Sequence, residues 1–474
     1  MKQIRHRTGA VTEMEQTTAK KNKYEIDMCN GTIMDKLISF SLPLMLSGIL
    51  QLMFNAVDII VVGRFSGSQA LAAVGSTSAL INVFTNLFIG ISLGANVLTA
   101  RFYAAGREKE VSETVHTAIT LALVSGIIMA LVGLVFSKGA LALMGTPDDV
   151  IGLSALYMRI YFLGMPFFML YNYGAAILRA VGDTKRPLLF LMIAGVINAC
   201  LNMVLVIVFK LGVAGVAIAT VISQMISCVL VLRCLCRSES SYRLRFSELG
   251  MKGYYLKQIF SVGVPAGIQS TVINFSNVLL QSSVNSFGST AMAGYTAANN
   301  LLGFLYVSVN SITQACMSFT SQNYGVRKFK RMDKILFECL GLTMVVALVL
   351  GGGSYLFGSE LMHIYTKSAD VVACGMDIML YTTVTYFLCG IMDLFPGALR
   401  GMGHSAVPMI LSVIGTVGTR IVWIYWVFPQ HRALYFLFIS YPVSWILTIV
   451  MQVVCFYFVR KKVHTPDNMA GEIL

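Results

Sequence analysis

Charge is scarce in this sequence. Asp, Glu, Lys and Arg make up 12% of its 474 residues, roughly half of the ~25% usual in a soluble domain. An ordinary water-soluble fold is therefore excluded. No Gly-rich run ends in Lys-Ser or Lys-Thr, so no phosphate-cradling loop is present to harness nucleotide hydrolysis. The ten cysteines are scattered singly, apart from Cys234-Leu235-Cys236. No histidine or second cysteine pair accompanies that one, as a zinc site would require. His116, His363, His404 and His431 each stand alone at a loop or span end. No strand pattern exists to carry a nucleophilic serine. The first 30 residues lack both an apolar core and a small-residue cleavage site, unlike a secretory signal peptide. The first span, from near Lys36, is expected to direct insertion and to be retained.

Hydrophobic residues make up 56% of the chain, and mean hydropathy is +0.74. Apolar runs of the length that a bilayer demands of a helix recur throughout. Twelve spans are expected, at roughly 36–62, 70–99, 113–137, 152–178, 187–209, 213–233, 257–285, 291–320, 333–358, 371–398, 406–428 and 433–459. The fold class is thus an all-α integral membrane protein. Its net charge of +13 is unevenly placed: the termini, the even-numbered loops and the span ends that adjoin them hold 28 of the 35 Lys and Arg. Odd-numbered loops hold only Arg64, Lys138, Lys210, Lys367 and Arg432, while Arg159 and Arg420 fall inside spans. This is the positive-inside bias, which places both termini in the cytoplasm and the protein in the cell membrane. The basic excess orients the chain in its lipid bilayer and implies no nucleic-acid partner.

The same six-span unit is written twice. Leu178-Arg179-x-x-Gly182-x-x-x-x-Pro187 returns 221 residues later as Leu399-Arg400-x-x-Gly403-x-x-x-x-Pro408. The same shift carries Tyr103 onto Tyr324, Asp149 onto Asp370 and Gly67-Ser68 onto Gly288-Ser289; Pro43 meets Pro265 one residue further on. An even number of spans per unit makes the repeats parallel, related by an axis along the membrane normal, with a central cavity between them. The expected organisation is a disordered cytoplasmic tail over 1–30, an N-lobe over 33–235, a linker over 236–256, a C-lobe over 257–460 and a cytoplasmic tail over 461–474. The linker's Arg237, Arg243, Arg245 and Lys252 suit the inner membrane surface. Pro43, Pro265, Pro166 and Pro396 are candidate kinks.

Ionisable residues inside spans are the functional candidates. Gln51, Asn55 and Asp58 fall at i, i+4 and i+7, on one face of the first span. Asn198 and Asn202 share a face of the fifth span, and Thr220 lies on the sixth. A carboxylate among amides and a hydroxyl is able to hold a proton or a small cation in alternation. These four, Asp58, Asn198, Asn202 and Thr220, form the candidate ion-coupling group, with Na⁺ at Asp58 as the only metal contemplated. The seventh span repeats the polar face without the acid: Asn274, Asn277, Gln281 and Asn285, with Asn277 matching Asn55. Asp58 itself matches Leu280 or Leu279. Asp393 matches Asn172, and an Asp393–Arg420 ion pair is one reading of that acid. Gln51, Asn55, Asn172, Asn274, Asn277, Gln281 and Asp393 are the candidate cavity lining. Abundant Phe, Tyr and Met suit flat lipophilic cations but also fill any membrane core.

Pro43, the Gln51…Asn55…Asp58…Gly63 helix, the two Leu-Arg-x-x-Gly span ends and the six-plus-six layout together resemble the MATE (multidrug and toxic compound extrusion) efflux transporters over residues 33–460. The resemblance implies two six-helix lobes, alternating access, and export of organic cations in exchange for H⁺ or Na⁺. It also implies a functional monomer that is not an enzyme and needs no cofactor. By position, Asp58, Asn198, Asn202 and Thr220 match the family's N-lobe ion site, although some members carry a second carboxylate where Asn202 stands. Others place acids on the seventh and tenth helices, which leaves Asp393 as a candidate there. Two alternatives stay open: a lipid-linked oligosaccharide flippase of the same superfamily, and a multipass membrane transferase.

Overall fold

The structure is a computed structural model that describes residues 23–463, and among these there is no β-strand. Twelve rods make up two lobes. The N-lobe holds α1 (Met34–Phe65), α2 (Ser68–Ala104), α3 (Glu108–Leu143), α4 (Asp148–Leu163 with Met165–Ala180), α5 (Lys185–Val208) and α6 (Gly212–Cys236). The C-lobe holds α7 (Gly253–Asn285), α8 (Ser289–Gly325), α9 (Phe329–Leu356), α10 (Ala369–Thr382 with Tyr386–Gly401), α11 (Ala406–Gln430) and α12 (Leu434–Val463). Eight of these are long and apolar enough to cross a membrane, and α4 and α10 qualify as bent pairs. The remaining two, α7 and α8, are the richest in amides. Their amides make both less apolar than the other ten.

The repeat is geometric as well as sequential. Left-handed turns fall at Gly67 and Gly288, at Gly106 and Arg327, and at Gly182 and Gly403, each pair separated by the repeat length. The bends are matched too, at 47° in α4 and 44° in α10. Their causes differ. In α4 the break falls at Gly164 beside Pro166, as the sequence suggested. In α10, Pro396 lies within the straight Tyr386–Gly401 segment, so proline does not make that bend. The chain turns instead at Thr383–Thr385. There the Thr383 and Thr385 hydroxyls donate back to the carbonyls of Met379 (2.7 Å) and Tyr381 (2.6 Å), a bonding pattern that bends helices. Pro43 and Pro265 sit inside unbroken helices.

The lobes meet along two seams, both toward the end of the bundle where Met34 begins α1 and Val463 ends α12. Where α2 crosses α7, Gly90 and Gly94 face Gly267 and Gly263. A Cβ on Gly90 would lie 2.3 Å from the Gly267 backbone, and one on Gly94 would lie 2.1 Å from the Ile259 carbonyl oxygen. Where α1 crosses α8, side chains fill the gap: Phe40 stands edge-on to Phe319, with ring centroids 5.6 Å apart, and Val307 fills the space beside Gly48. Hydrogen bonds tie the same end. Ser318 donates to Asn96 Oδ1 (3.1 Å), Ser321 to the Val97 carbonyl (2.6 Å) and Gln322 to the Ala180 carbonyl (2.7 Å). Further along, Asn55, Asn274 and Asn299 are exposed. Exposed amides on membrane-crossing helices require water, so the lobes part around a wet cleft at the end away from Met34 and Val463.

Two expectations about the connecting segments need correction. Within the tail expected over 1–30, residues 23–30 are packed, while 1–22 lie outside the described residues, as does 464–474 of the C-terminal tail. Met28 is fully buried. Glu25 accepts hydrogen bonds from Tyr103 (2.8 Å) and Tyr242 (2.7 Å) of the N-lobe. The carbonyls of Met28, Cys29 and Gly31 accept from Asn323 (3.0 Å), Lys328 (2.9 Å) and Arg331 (2.9 Å) of the C-lobe. This strap bridges the lobes because its own backbone carbonyls, free of any helix, meet a cluster of donors at the end of α8. The linker is likewise more than a surface connector. Tyr242 and Leu244 are buried, the Arg245 amide donates to His116 Nε2 (3.0 Å), and Lys252 pairs with Glu113.

Candidate functional site

The N-lobe pocket is set by one close helix approach. A Cβ on Gly195 of α5 would fall 1.8 Å from the Phe54 ring, so only glycine lets α1 lie this near. One turn beyond Phe54 comes Asp58, and one and two turns beyond Gly195 come Asn198 and Asn202. Asp58 is 9% exposed and Asn202 fully buried. The Asn202 amide nitrogen donates to the Asp58 carboxylate and, at 3.1 Å, to Asn198 Oδ1. Thr220 of α6 closes the group. Its hydroxyl lies near Asp58 and donates to the Val216 carbonyl at 2.9 Å. Immediately after Asn202, α5 widens into a π-helical stretch over Met203–Val208, a distortion frequent at functional sites. The four residues grouped from sequence are thus brought together.

The pocket is acidic and unpaired. No Lys or Arg forms an ion pair with Asp58 among the described residues, and Asn202 Oδ1 is buried without a partner. The Asp58 and Asn198 oxygens thus both accept from one Asn202 amide nitrogen, a neutral donor that leaves the carboxylate's charge uncompensated. Sequence reasoning missed two members. Tyr157 and Tyr161 of α4 lie near Asp58, their rings stacked with centroids 6.2 Å apart. The i, i+4 spacing of the two tyrosines was visible, but tyrosine is too common in this chain to stand out.

The remaining candidates divide. Gln51, Asn55 and Asn274 are exposed on the cleft-forming helices. Gln281 donates to its neighbour Asn285 (3.3 Å), and the Asn172 amide to the Phe168 carbonyl of its own helix (2.8 Å). Asp393 is not paired with Arg420. Its charged neighbour is Arg400, seven residues further along α10, which also donates to Gln269 Oε1 (2.6 Å). Arg420 instead donates to Asn277 Oδ1 (2.9 Å) and lies over the Tyr441 ring, 4.2 Å from its centroid. At the narrow end of the cleft, Arg179 of the N-lobe donates to Gln314 (3.2 Å) of the C-lobe.

Two like lobes around a wet cleft, with an unpaired acid inside one of them, define a secondary transporter built from parallel repeats. The family model described as MatE matches residues 43–204 and again 265–426, which reproduces the internal repeat, and the chain belongs to that family. It is 30% identical over 434 residues to the probable multidrug resistance protein YoeA of Bacillus subtilis (strain 168), covering 89% of this chain and 93% of the relative. The multidrug export protein MepA of Staphylococcus aureus (strain MSSA476) is 23% identical, with 80% and 84% covered. An outward-facing MATE family transporter of the MOP superfamily superposes with a TM-score of 0.85 at 20% identity, with 93% of this chain and 98% of that chain covered. This protein is a multi-pass membrane transporter of the multidrug efflux class and not an enzyme.

Proposed function

We propose that this transporter exports lipophilic organic cations across the cell membrane in exchange for H⁺ or Na⁺, with Asp58 carrying the coupling ion. The observation behind this reading is a buried carboxylate that has amide and hydroxyl partners but no cationic one. A charge so placed in a low-dielectric interior is stabilised by taking up a cation. The cavity's exposed amides and nearby aromatic rings suit a flat, weakly hydrated cation. With both termini in the cytoplasm, the cleft described above faces outward. Drug leaves this state as Asp58 takes an ion from outside. The neutralised pocket then allows the seams to open on the inner side and the cleft to close.

The test is counterflow in proteoliposomes loaded with ethidium, with a pH gradient or a Na⁺ gradient imposed separately. Export driven by one gradient assigns the ion. Asp58→Asn in the same membranes is expected to abolish export by either gradient, and ethidium export at the normal rate by that variant would refute the proposal.

A further inference from the structure

The two lobes carry pockets at equivalent places, and the pockets have opposite charge. By the repeat, Asn277 is the counterpart of Asn55 and Tyr441 that of Thr220, while Leu280 stands where Asp58 would be. Arg420, on the helix equivalent to α5, directs its guanidinium into that C-lobe pocket. Asn277 and Tyr441 are in contact with it there, and Tyr295 and Cys389 lie within reach of its charge. Arg420 is 3% exposed. No carboxylate pairs with it among the described residues, and its Nε is buried without a partner. A guanidinium has five N–H donors in a planar fork matched to a carboxylate. Here a neutral amide oxygen is the one acceptor bonded to it. Stacked rings wall the site: Tyr295 on Phe438 and Phe438 on Tyr441, with centroids 5.7 and 6.0 Å apart. A permanent positive charge, under-bonded and walled by rings, is built to receive an anion with an aromatic body.

We infer that Arg420 is an anion-recognition site in the C-lobe that takes the carboxylate of zwitterionic aromatic substrates. Asn277, on the cleft-forming α7, covers the guanidinium and yields one N–H when the carboxylate binds. This rests on the efflux reading above and narrows its substrate class. The substrate's ammonium is left to the acidic N-lobe, so a zwitterion spans the two lobes while a simple cation engages one.

The test compares norfloxacin, which carries a carboxylate and an ammonium, with its methyl ester, which keeps the rings and the ammonium but hides the anion. Equilibrium dialysis on the purified full chain and export from proteoliposomes are both measured. Loss of a charge-assisted bidentate contact corresponds to about tenfold or more in affinity. The wild type is expected to favour the acid over the ester by about that factor, and Arg420→Gln to lose the preference. Should Arg420→Gln fail to fold, Asn277→Ala supplies an independent arm, since uncovering the guanidinium is expected to widen the preference. Equal binding of acid and ester by the wild type would overturn the inference. So would an unchanged preference in Arg420→Gln or a narrowed one in Asn277→Ala. If neither compound binds while ethidium is exported, this inference fails and the efflux reading stands. If ethidium is not exported either, both fail.

Discussion

The two seams between the lobes are equivalent by the repeat but differ in substance. Where α2 meets α7, four glycines let backbones touch; at the matching places on α8 and α1 stand Ser311, Ala315, Ser41 and Met45. The first seam is therefore rigid, because backbone in contact with backbone has no side chain to yield. The second is padded with Phe40, Val307 and Phe319, which have rotamers to spend. The exchange cycle proposed above calls for one close pivot and one adjustable contact between the lobes, and this asymmetry supplies both. The pockets differ in the same spirit. The N-lobe carries an acid on α1, and the C-lobe carries a base on α11, the counterpart of α5.

Four tests, with seven substitutions between them, break or sharpen these comparisons. The largest effect is expected from Asp58→Asn set beside Asp393→Asn. The first removes the unpaired acid and is expected to lower ethidium export by about a hundredfold or more, as loss of a group that acts only through its charge does. The second removes an acid already facing Arg400 and is expected to lower export by less than about tenfold. Parallel rates in proteoliposomes decide, and equal losses would erase the distinction between the lobes.

Gly267→Val comes next. A Cβ there meets the Leu87 carbonyl oxygen at 2.4 Å, and an immovable backbone atom makes the cost about 3 kcal/mol or more. Met45→Val, at the matching place on the padded seam, is expected to cost about 1 kcal/mol. Monodispersity and unfolding temperature in detergent report both, and similar values would show that the seams are alike.

Glu25→Ala probes the strap. It removes the acceptor of two tyrosine hydroxyls, worth about 1–3 kcal/mol in total, and frees the N-lobe anchor while the C-lobe anchor persists. The expected result is a lower unfolding temperature and faster maleimide labelling of Cys29, mapped by mass spectrometry. Unchanged labelling would mean that the strap is held by the C-lobe alone. The smallest effect is expected from Asn172→Ala. Its amide serves only its own helix, so export and stability should shift by no more than about 0.5 kcal/mol equivalent, against a larger shift for Asn202→Ala.

Much of this was legible in the chain itself. Asp58 stood out because a lone acid in an apolar span is costly wherever it points, and Asn198 and Asn202 because helical spacing puts them on one face. Tyr157 and Tyr161 were hidden by the abundance of their kind. Residues 23–30 looked like tail because their polar composition gives no sign that their backbone carbonyls meet Asn323, Lys328 and Arg331. Asp393 and Arg420 seemed natural partners by charge, yet each points to a different neighbour.

Hydropathy and the 221-residue repeat by themselves determined the twelve rods, their division into lobes and which helices correspond. Those properties follow from local composition and from copying. The tertiary structure alone decided that Asn202 bonds Asp58, that Arg420 faces Asn277, that one seam is glycine and the other side chain, and that the strap spans both lobes. Each joins residues far apart in the chain. Whether their side chains meet depends on ångström-scale helix approach, which packing sets and no local pattern encodes.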